Sequence, residues 1–298
     1  MKRKRNAISS LVFSAVCLVF MTSSAIVQAG GKQPGKPSPV FHDLVSRLVA
    51  DGFDQTEINR FFSDSRVRFD HRIMPRKISH NEKKLHYDIF LEDNRINRAK
   101  NYLQANGHLL DSIEKEYGIP KEVKVAILLV ETDLGRYVGS SLAFNTLASM
   151  AVADDFERIK PYLPPEYKHL SRTEQNKIAK RMKKKSRWAY SELKSLIIYA
   201  SLNNLDILSI KGSIFGAIGL CQFMPSNALK FGVDYDKDGK VDLFSPADAL
   251  ASMANYLKFY GWKDNLPHKR QIKVIKHYNH STPYARTVLK VAQRVRSS

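Results

Sequence analysis

The chain has 298 residues, 43% of them hydrophobic, which is enough to bury a sizeable core in one large domain or two modest ones. Its formal net charge of +19 predicts a polyanionic partner such as nucleic acid, anionic lipid or a cell envelope. The sequence contains no DNA- or RNA-binding motif, and the export signal described next also argues against nucleic acid.

Residues 1–29 have the order of a secretory signal. Four positive charges at 2–5 precede an apolar stretch, roughly 11–21, and small residues lead to a cleavage pattern ending at Ala29. An uncleaved anchor is the alternative, but the apolar run is short for a span of about 20 residues. Cys17 follows a valine, which fits poorly before a lipidated cysteine. We therefore expect an exported protein, periplasmic or envelope-associated, without a transmembrane segment after cleavage.

Removing the signal takes away four positive charges and leaves a net charge of +15. Cys221 is then the remaining cysteine, so an internal disulfide is excluded, and its apolar surroundings predict a buried, inert thiol. Residues 30–40 are rich in glycine and proline and predict a linker.

Helical spacing of apolar residues dominates the chain beyond the linker, and it indicates a mainly α class without internal repeats. Several ends carry capping signals, such as Ser245 with Pro246 and, in the place of a capping-box acid, Asp248. The predicted helical segments are, in chain order, 44–49, a short helix from Asp54, 93–117 with a break near Gly107, 120–131, 188–208, 245–261 and a last helix from Thr282.

Residues 152–187 differ from their surroundings, because three prolines precede the basic run KRMKKKSR. We interpret this segment as a basic surface excursion. The run is typical of a solvated helix face, and the alternative is a surface that holds an acidic polymer.

Glu131 is the first residue with a chemical signature. It ends the nearly all-apolar run 123–130, and burial disfavours the charged form of a carboxyl. A carboxyl kept protonated in this way can donate a proton to a leaving sugar oxygen. The alternative from these residues alone is that Glu131 marks the solvated end of the helix.

The segment 234–242 has acids at positions 1, 3, 5 and 9 and glycine at position 6, which is the spacing of a calcium-binding loop. Position 12 is Ser245 instead of a glutamate, and the next carboxylate is Asp248 at position 15. The loop therefore either closes late through Asp248 or binds weakly, and an Asp-rich turn without a metal is the alternative.

Two further segments suit a sugar ligand. The glycine-rich stretch 216–226 lacks the Lys-Ser/Thr ending of a phosphate loop, but its glycines allow close approach of the backbone and Gln222 can bind hydroxyls or amides. Tyr278, Asn279 and Tyr284 offer aromatic faces and polar ends to a saccharide. Taken singly, each of these residues is more often part of an ordinary core.

The set of segments, in this order and spacing, resembles the lytic murein transglycosylase B family (glycoside hydrolase family 103), which has a lysozyme-like α fold with an EF-hand-like calcium loop. The similarity runs from about residue 40 to the C-terminus and implies a catalytic region at 41–298. The motifs that carry it are Val130-Glu131-Thr132 with Gly135, GAIGLCQFMPS at 216–226, Ala254–Leu257 and His277–Asn279.

The resemblance implies cleavage of the β-1,4 bond between N-acetylmuramic acid and N-acetylglucosamine in peptidoglycan, with formation of 1,6-anhydro ends. Glu131 would act alone as acid and base. A structural calcium ion, no organic cofactor and a monomer are expected. The implied substrate-binding residues are Ser213, Gln222, Tyr256, Tyr278, Asn279 and Tyr284. The implied calcium ligands are Asp234, Asp236, Asp238, Lys240 through its carbonyl, and Asp248.

Two alternatives remain at this point. One is a muramidase of the same fold, in which Asp133 or another acid directs water, because hydrolases usually pair two carboxyls across the bond. The other is a non-catalytic peptidoglycan-binding protein with a degenerate site. The segment 152–187 is longer and more basic than the family pattern, so the resemblance does not predict how the peptide part of the substrate is held.

Overall fold

A computed structural model describes residues 37–80, 86–167 and 170–297. The predicted signal 1–29 and most of the predicted linker 30–40 lie outside the described residues. The described part is built from thirteen α-helices with short 3-10 turns between them, which confirms the mainly α class. The helices are α1 (His42–Ala50), α2 (Gln55–Ser63), α3 (Ile73–Ser79), α4 (Asp93–Ala105), α5 (Gly107–Tyr117), α6 (Lys121–Thr132), α7 (Ala143–Ala151), α8 (Phe156–Ile159), α9 (Arg172–Leu202), α10 (Pro225–Phe231), α11 (Pro246–Phe259), α12 (His268–Tyr278) and α13 (Thr282–Arg296).

Helix α6 lies at the centre of the core. The side chains from Val125 to Leu129 are fully buried, as expected for a helix that is apolar on most sides, and α6 packs against α4, α5, α11 and α13. Lys124 is also fully buried, and its Nζ donates a hydrogen bond to the Ile119 carbonyl at 2.6 Å. Burial lowers the pKa of Lys124 to about 8, because the charged ammonium loses its water.

Several predicted helix ends are confirmed. The Asp54 side chain accepts the Glu57 N–H at 2.8 Å and caps α2, and the predicted break near Gly107 separates α4 from α5. Ser245 holds the N-cap position of α11, but within the described residues its side chain makes no capping hydrogen bond. The capping-box interpretation of Asp248 is wrong, because this carboxylate turns back into the preceding loop.

The predicted start of a helix at residue 188 is wrong. Helix α9 begins at Arg172, where Ser171 and Glu174 form a capping box, and it continues without a break to Leu202. The basic run therefore lies on the first half of a long helix. Ile178 and Met182 are buried there, while the basic side chains between them are mostly exposed. The buried face of this half was not recognised from the sequence, because the many lysines lower its apparent hydrophobicity.

A two-stranded antiparallel ribbon joins distant segments. Strand β1 (Ser141–Leu142) pairs with β2 (Lys211–Gly212), with Ser141 opposite Gly212 and Leu142 opposite Lys211. The ribbon fixes the chain just before α7 beside the glycine-rich stretch that follows α9. In the described residues, no helix is long and apolar enough to cross a membrane.

Candidate functional site

Glu131 lies in the last turn of α6, half-buried, directly after the core run of that helix. The Tyr284 hydroxyl donates a hydrogen bond to Glu131 Oε1 at 2.5 Å. Tyr284 is buried in the first turn of α13, where its N–H donates to the Ser281 hydroxyl at the N-cap. Two residues predicted separately, 153 positions apart, are thus in direct contact.

The end of α6 is locked to the glycine-rich stretch by Thr132. Its hydroxyl lies 3.0 Å from the Leu220 carbonyl and 3.3 Å from the Leu128 carbonyl, and it accepts the Gly135 N–H. The sequence interpretation did not assign a role to Thr132. Its only signal was its place in the motif after Glu131, and the contact to Leu220 could not be read from spacing.

Asp133, directly after α6, forms ion pairs with arginines. It ends α6 with φ 51°, in the left-handed region, and its Oδ1 lies 2.6 Å from Arg98 and 3.7 Å from Arg95. Its Oδ2 lies 3.8 Å from Arg136. The ion pairs with Arg98 and Arg95 tie the end of α6 to α4.

The glycine-rich stretch is held in a specific conformation. Ser213 Oγ accepts the N–H groups of Phe215 and Ala217, at 3.3 and 3.1 Å. Gln222 has φ 49°, an uncommon value for a residue with a side chain, and its Nε2 donates to the Gly219 and Val138 carbonyls at 2.9 and 3.3 Å. A left-handed glutamine held on both sides is the kind of strain that accumulates at binding sites.

Aromatic residues line the stretch on its other side. The Tyr278 hydroxyl donates to the Cys221 carbonyl, and the Tyr256 hydroxyl donates to the His277 carbonyl at 2.6 Å. The two rings have centroids 5.2 Å apart in an edge-to-face arrangement. Asn279, half-buried, follows directly at the end of α12.

Cys221 is buried and free, as predicted. Burial raises the pKa of its thiol to about 12, and the negative charge of Glu131 adds to the shift. Burial also raises the pKa of Tyr278 well above its usual value, with the charges of Cys221 and Glu131 contributing. The raised pKa of the Cys221 thiol makes it unsuitable as a nucleophile.

The acidic loop brings together three of the predicted metal ligands. Carboxylate oxygens of Asp234, Asp236 and Asp248 lie within 4.8 Å of one another. Both oxygens of Asp248 accept backbone N–H groups of the loop, from Tyr235 at 2.8 Å and Asp242 at 2.7 Å. Asp248 therefore binds back to the loop, as a late closure through position 15 would require.

The chemistry of this donor set fits a hard cation. Asp248 is buried, and burial raises the pKa of its carboxyl, with the charge of Asp236 contributing. A cation among these oxygens would offset both effects, and carboxylate oxygens are what divalent calcium prefers. Asp238 and Lys240 lie on the exposed side of the loop, where the Lys240 N–H donates to Asp238 Oδ1 at 2.9 Å.

The predicted residues thus form two groups. The first group surrounds or adjoins the glycine-rich stretch and consists of Glu131, Tyr284, Tyr278, Tyr256, Asn279, Gln222 and Ser213. The second group is the acidic loop, which follows α10. The loop supports the first group from behind, since the Leu220 N–H donates to the Leu243 carbonyl at 2.8 Å. Gly219 is required at this approach, because a Cβ there would lie 2.5 Å from the same carbonyl oxygen.

Comparison with known proteins agrees with the family resemblance drawn from the sequence motifs. Residues 37–274 match the family model described as the transglycosylase SLT domain. The chain is 32% identical over 146 residues to the membrane-bound lytic murein transglycosylase B of Escherichia coli strain K12. The matched stretch is 49% of this chain and spans about a third, 33%, of the length of that relative.

Two solved structures have the same fold. The soluble lytic transglycosylase SltB1 of Pseudomonas aeruginosa has a TM-score of 0.69 at 24% identity, over 86% of this chain and 98% of that one. The Escherichia coli lytic transglycosylase Slt35 in complex with calcium has a TM-score of 0.69 at 22% identity, over 90% and 95%. Because the family model matches most of the chain, this protein belongs to the lytic transglycosylase family defined by the transglycosylase SLT domain, which confirms the resemblance drawn from its motifs.

Proposed function

We propose that this protein is a peptidoglycan lytic transglycosylase. It cleaves the β-1,4 bond between N-acetylmuramic acid and N-acetylglucosamine and leaves 1,6-anhydro-muramic ends. The observation that carries the proposal is the 2.5 Å contact between the Tyr284 hydroxyl and Glu131 at the end of a buried helix. The name of the Escherichia coli relative, a lytic murein transglycosylase, supports the same activity.

In this mechanism Glu131 serves both proton transfers. Its protonated carboxyl donates to the glycosidic oxygen, and the resulting carboxylate accepts the proton of the C6 hydroxyl as that oxygen attacks C1. Tyr284 fixes Oε1 through its hydrogen bond, so that the Glu131 carboxyl is oriented for the substrate. Burial of Tyr284 makes this orientation rigid.

The predicted substrate residues take different parts in this proposal. Gln222 and Asn279 are half-buried. Since Gln222 Nε2 donates to the Gly219 and Val138 carbonyls, Gln222 offers its amide oxygen to the hydroxyl and N-acetyl N–H groups of the sugars, and Asn279 offers its amide group. Tyr256 and Tyr278 use their hydroxyls on backbone carbonyls, so they form the wall of the subsite and hold the glycine-rich stretch in place. Ser213 organises the turn at the far end of that stretch.

A muramidase needs a second acid to direct water, and Asp133 is bound by Arg98 and Arg95 instead. The test is digestion of purified peptidoglycan followed by mass analysis, because the anhydro product lacks one water. Glu131→Gln keeps the shape of the side chain but can neither donate nor accept the proton, so we expect a loss of activity at or beyond about 10⁴-fold. Retained activity would overturn the role of Glu131, and free reducing muramic ends would favour the muramidase.

We further propose that the loop from Asp234 to Asp248 holds one calcium ion of structural function. Asp234, Asp236 and Asp248 converge within 4.8 Å, and Asp238 with the carbonyl of Lys240 would complete the set. The calcium named in the Slt35 complex supports this choice of metal. The ion would stabilise the turn behind Leu220 and take no part in the chemistry.

The location follows from the proposed substrate. We propose an exported protein that works in the periplasm on the glycan strands, as a monomer without an organic cofactor. The basic character of the chain, with a net charge of +15 after removal of the predicted signal, suits attachment to an anionic envelope.

A further inference from the structure

The backbone leaves α6 through three consecutive residues with positive φ, and this turn begins two residues after Glu131. The φ values are 51° at Asp133, 63° at Leu134 and 86° at Gly135. Glycine adopts this left-handed region freely and aspartate is tolerated there, but leucine rarely is, because its Cβ crowds the neighbouring carbonyl oxygen. The turn directly behind the proposed catalytic residue is therefore strained.

Asp133 occupies a position that glycine would fill more easily. It has φ 51° and ψ 48°, the left-handed conformation in which helices most often carry glycine at their C-terminal end. Its N–H still donates to the Leu129 carbonyl at 3.0 Å, and the next N–H, of Leu134, donates to the Leu128 carbonyl at 3.1 Å. Glycine could make the same backbone hydrogen bonds, so the aspartate at this position is explained by what its side chain contacts.

The short contact of the Asp133 side chain comes from α4. A terminal nitrogen of Arg98 lies 2.6 Å from Oδ1, whereas Arg95 and Arg136 lie at 3.7 and 3.8 Å. The Arg98 and Asp133 side chains are 31% and 26% exposed, and Arg98 Nε is buried without a hydrogen-bond partner in the described part of the chain. A partly buried, charge-assisted contact of this kind is stronger and less screened by salt than an ion pair on the surface.

We infer that Arg98 is a positioning residue for Glu131 and acts through Asp133. Its guanidinium holds Asp133 in the left-handed conformation, which fixes the point where α6 ends and therefore the direction of the Glu131 carboxyl. Tyr284 on α13 holds that carboxyl directly, and Arg98 on α4 holds the backbone behind it. The inference rests on the proposed function, because it requires Glu131 to be the acid whose position limits the rate.

The test measures kcat and KM of the full chain on soluble glycan strands, with cleavage counted as total new ends of either chemistry. Arg98→Met removes the ion pair and keeps an unbranched stem. We expect kcat to fall about tenfold with KM unchanged, because a small displacement of a catalytic group slows the reaction without removing a contact to substrate. Amide hydrogen exchange in residues 133–137 should become faster in the same variant, since the turn opens more easily.

Substitutions of Asp133 separate backbone strain from loss of the ion pair. Asp133→Ala and Asp133→Gly both lose the contact to Arg98, but glycine takes φ 51° without strain and alanine does not. We expect Asp133→Ala to lose as much kcat as Arg98→Met, and Asp133→Gly to stay within about threefold of the unmodified chain. Adding Arg98→Met to Asp133→Gly should cause no further loss, since the guanidinium then has nothing to hold.

Two matched controls test other causes. Arg136→Met removes a positive charge beside the same carboxylate, from a side chain that is 65% exposed and 3.8 Å away, and therefore reports the effect of charge alone. Lys194→Met breaks an ion pair of similar length, 2.7 Å to Asp51, that involves no residue of the candidate site, and therefore reports the effect of stability alone. Neither variant should lower kcat.

A loss of kcat shared by either control would overturn the inference, as would equal losses in Asp133→Ala and Asp133→Gly. Unchanged kcat and unchanged exchange in Arg98→Met would overturn it as well. The exchange measurement needs no turnover, so it tests the hold of Arg98 on the turn independently of the reaction. Failure of the proposed function is distinguishable, because it would appear as reducing instead of anhydro ends from the unmodified chain while the order of the variants persisted.

Discussion

The hydrogen bond from Tyr284 to Glu131 offers the sharpest test of the site. Tyr284→Phe removes the hydroxyl that lies 2.5 Å from Oε1 and leaves the buried ring in place. A hydrogen bond to a charged group contributes about 1.5–3 kcal/mol. Since each 1.36 kcal/mol of transition-state free energy is tenfold in rate, we expect kcat to fall about 10- to 100-fold with little change in KM.

The assay is the initial rate of release of anhydro-muramic products from soluble glycan strands, with thermal unfolding measured on the same preparations. The ring of Tyr284 stands edge-to-face to Tyr87, with centroids 6.0 Å apart, and phenylalanine preserves this contact. The control is Tyr102→Phe. The Tyr102 hydroxyl is buried on α4 without a hydrogen-bond partner in the described structure, so its removal should leave kcat unchanged.

Two outcomes would refute the reasoning. An unchanged kcat in Tyr284→Phe would mean that the hydroxyl does not orient Glu131 for the reaction. A fall in kcat that is matched by a large fall in Tm, or that is shared by Tyr102→Phe, would assign Tyr284 to the stability of α13 instead.

Three further predictions concern stability and attachment. The folded-state pKa of Lys124 is about 8 against the ordinary 10.5, so the unfolded chain binds more protons between these values and stability should rise with pH across this window by about 3 kcal/mol. Lys124→Met should lack that rise when unfolding by denaturant is followed from pH 7 to 11, and parallel curves would refute it. Calcium at 100 times its Kd should add about 2.7 kcal/mol to the free energy of unfolding, and Asp248→Asn should abolish the difference between chelator and calcium. Identical melting of the unmodified protein in both, with no metal by elemental analysis, would exclude the ion. Replacing the exposed Lys180, Lys183 and Lys184 by glutamine should weaken sedimentation with peptidoglycan at low salt and leave cleavage of a short glycan unchanged, because exposed charges act at long range and are screened. Equal sedimentation at low salt would rule this attachment out.

Whether a feature was predicted correctly from the sequence depends on how far apart in the chain the interacting residues lie. Helix starts such as Asp54 and the break at Gly107 were predicted correctly, because capping and chain reversal depend on neighbouring residues. The boundary at residue 188 was wrong, since apolar side chains four residues apart in α9 are diluted by lysines whose stems cover the surface. Helices α3, α7, α8, α10 and α12 were not predicted at all.

Local pattern in the chain is enough to locate Glu131, the glycine-rich stretch and the acidic loop, because each is a contiguous segment whose chemistry depends on spacing within about 15 residues. Packing of distant helices sets the rest. It places Tyr284 on Glu131, brings Asp133 to Arg98 and buries Lys124. A contact between residues more than 100 positions apart depends on how whole helix faces pack, and no local period in the sequence records that choice.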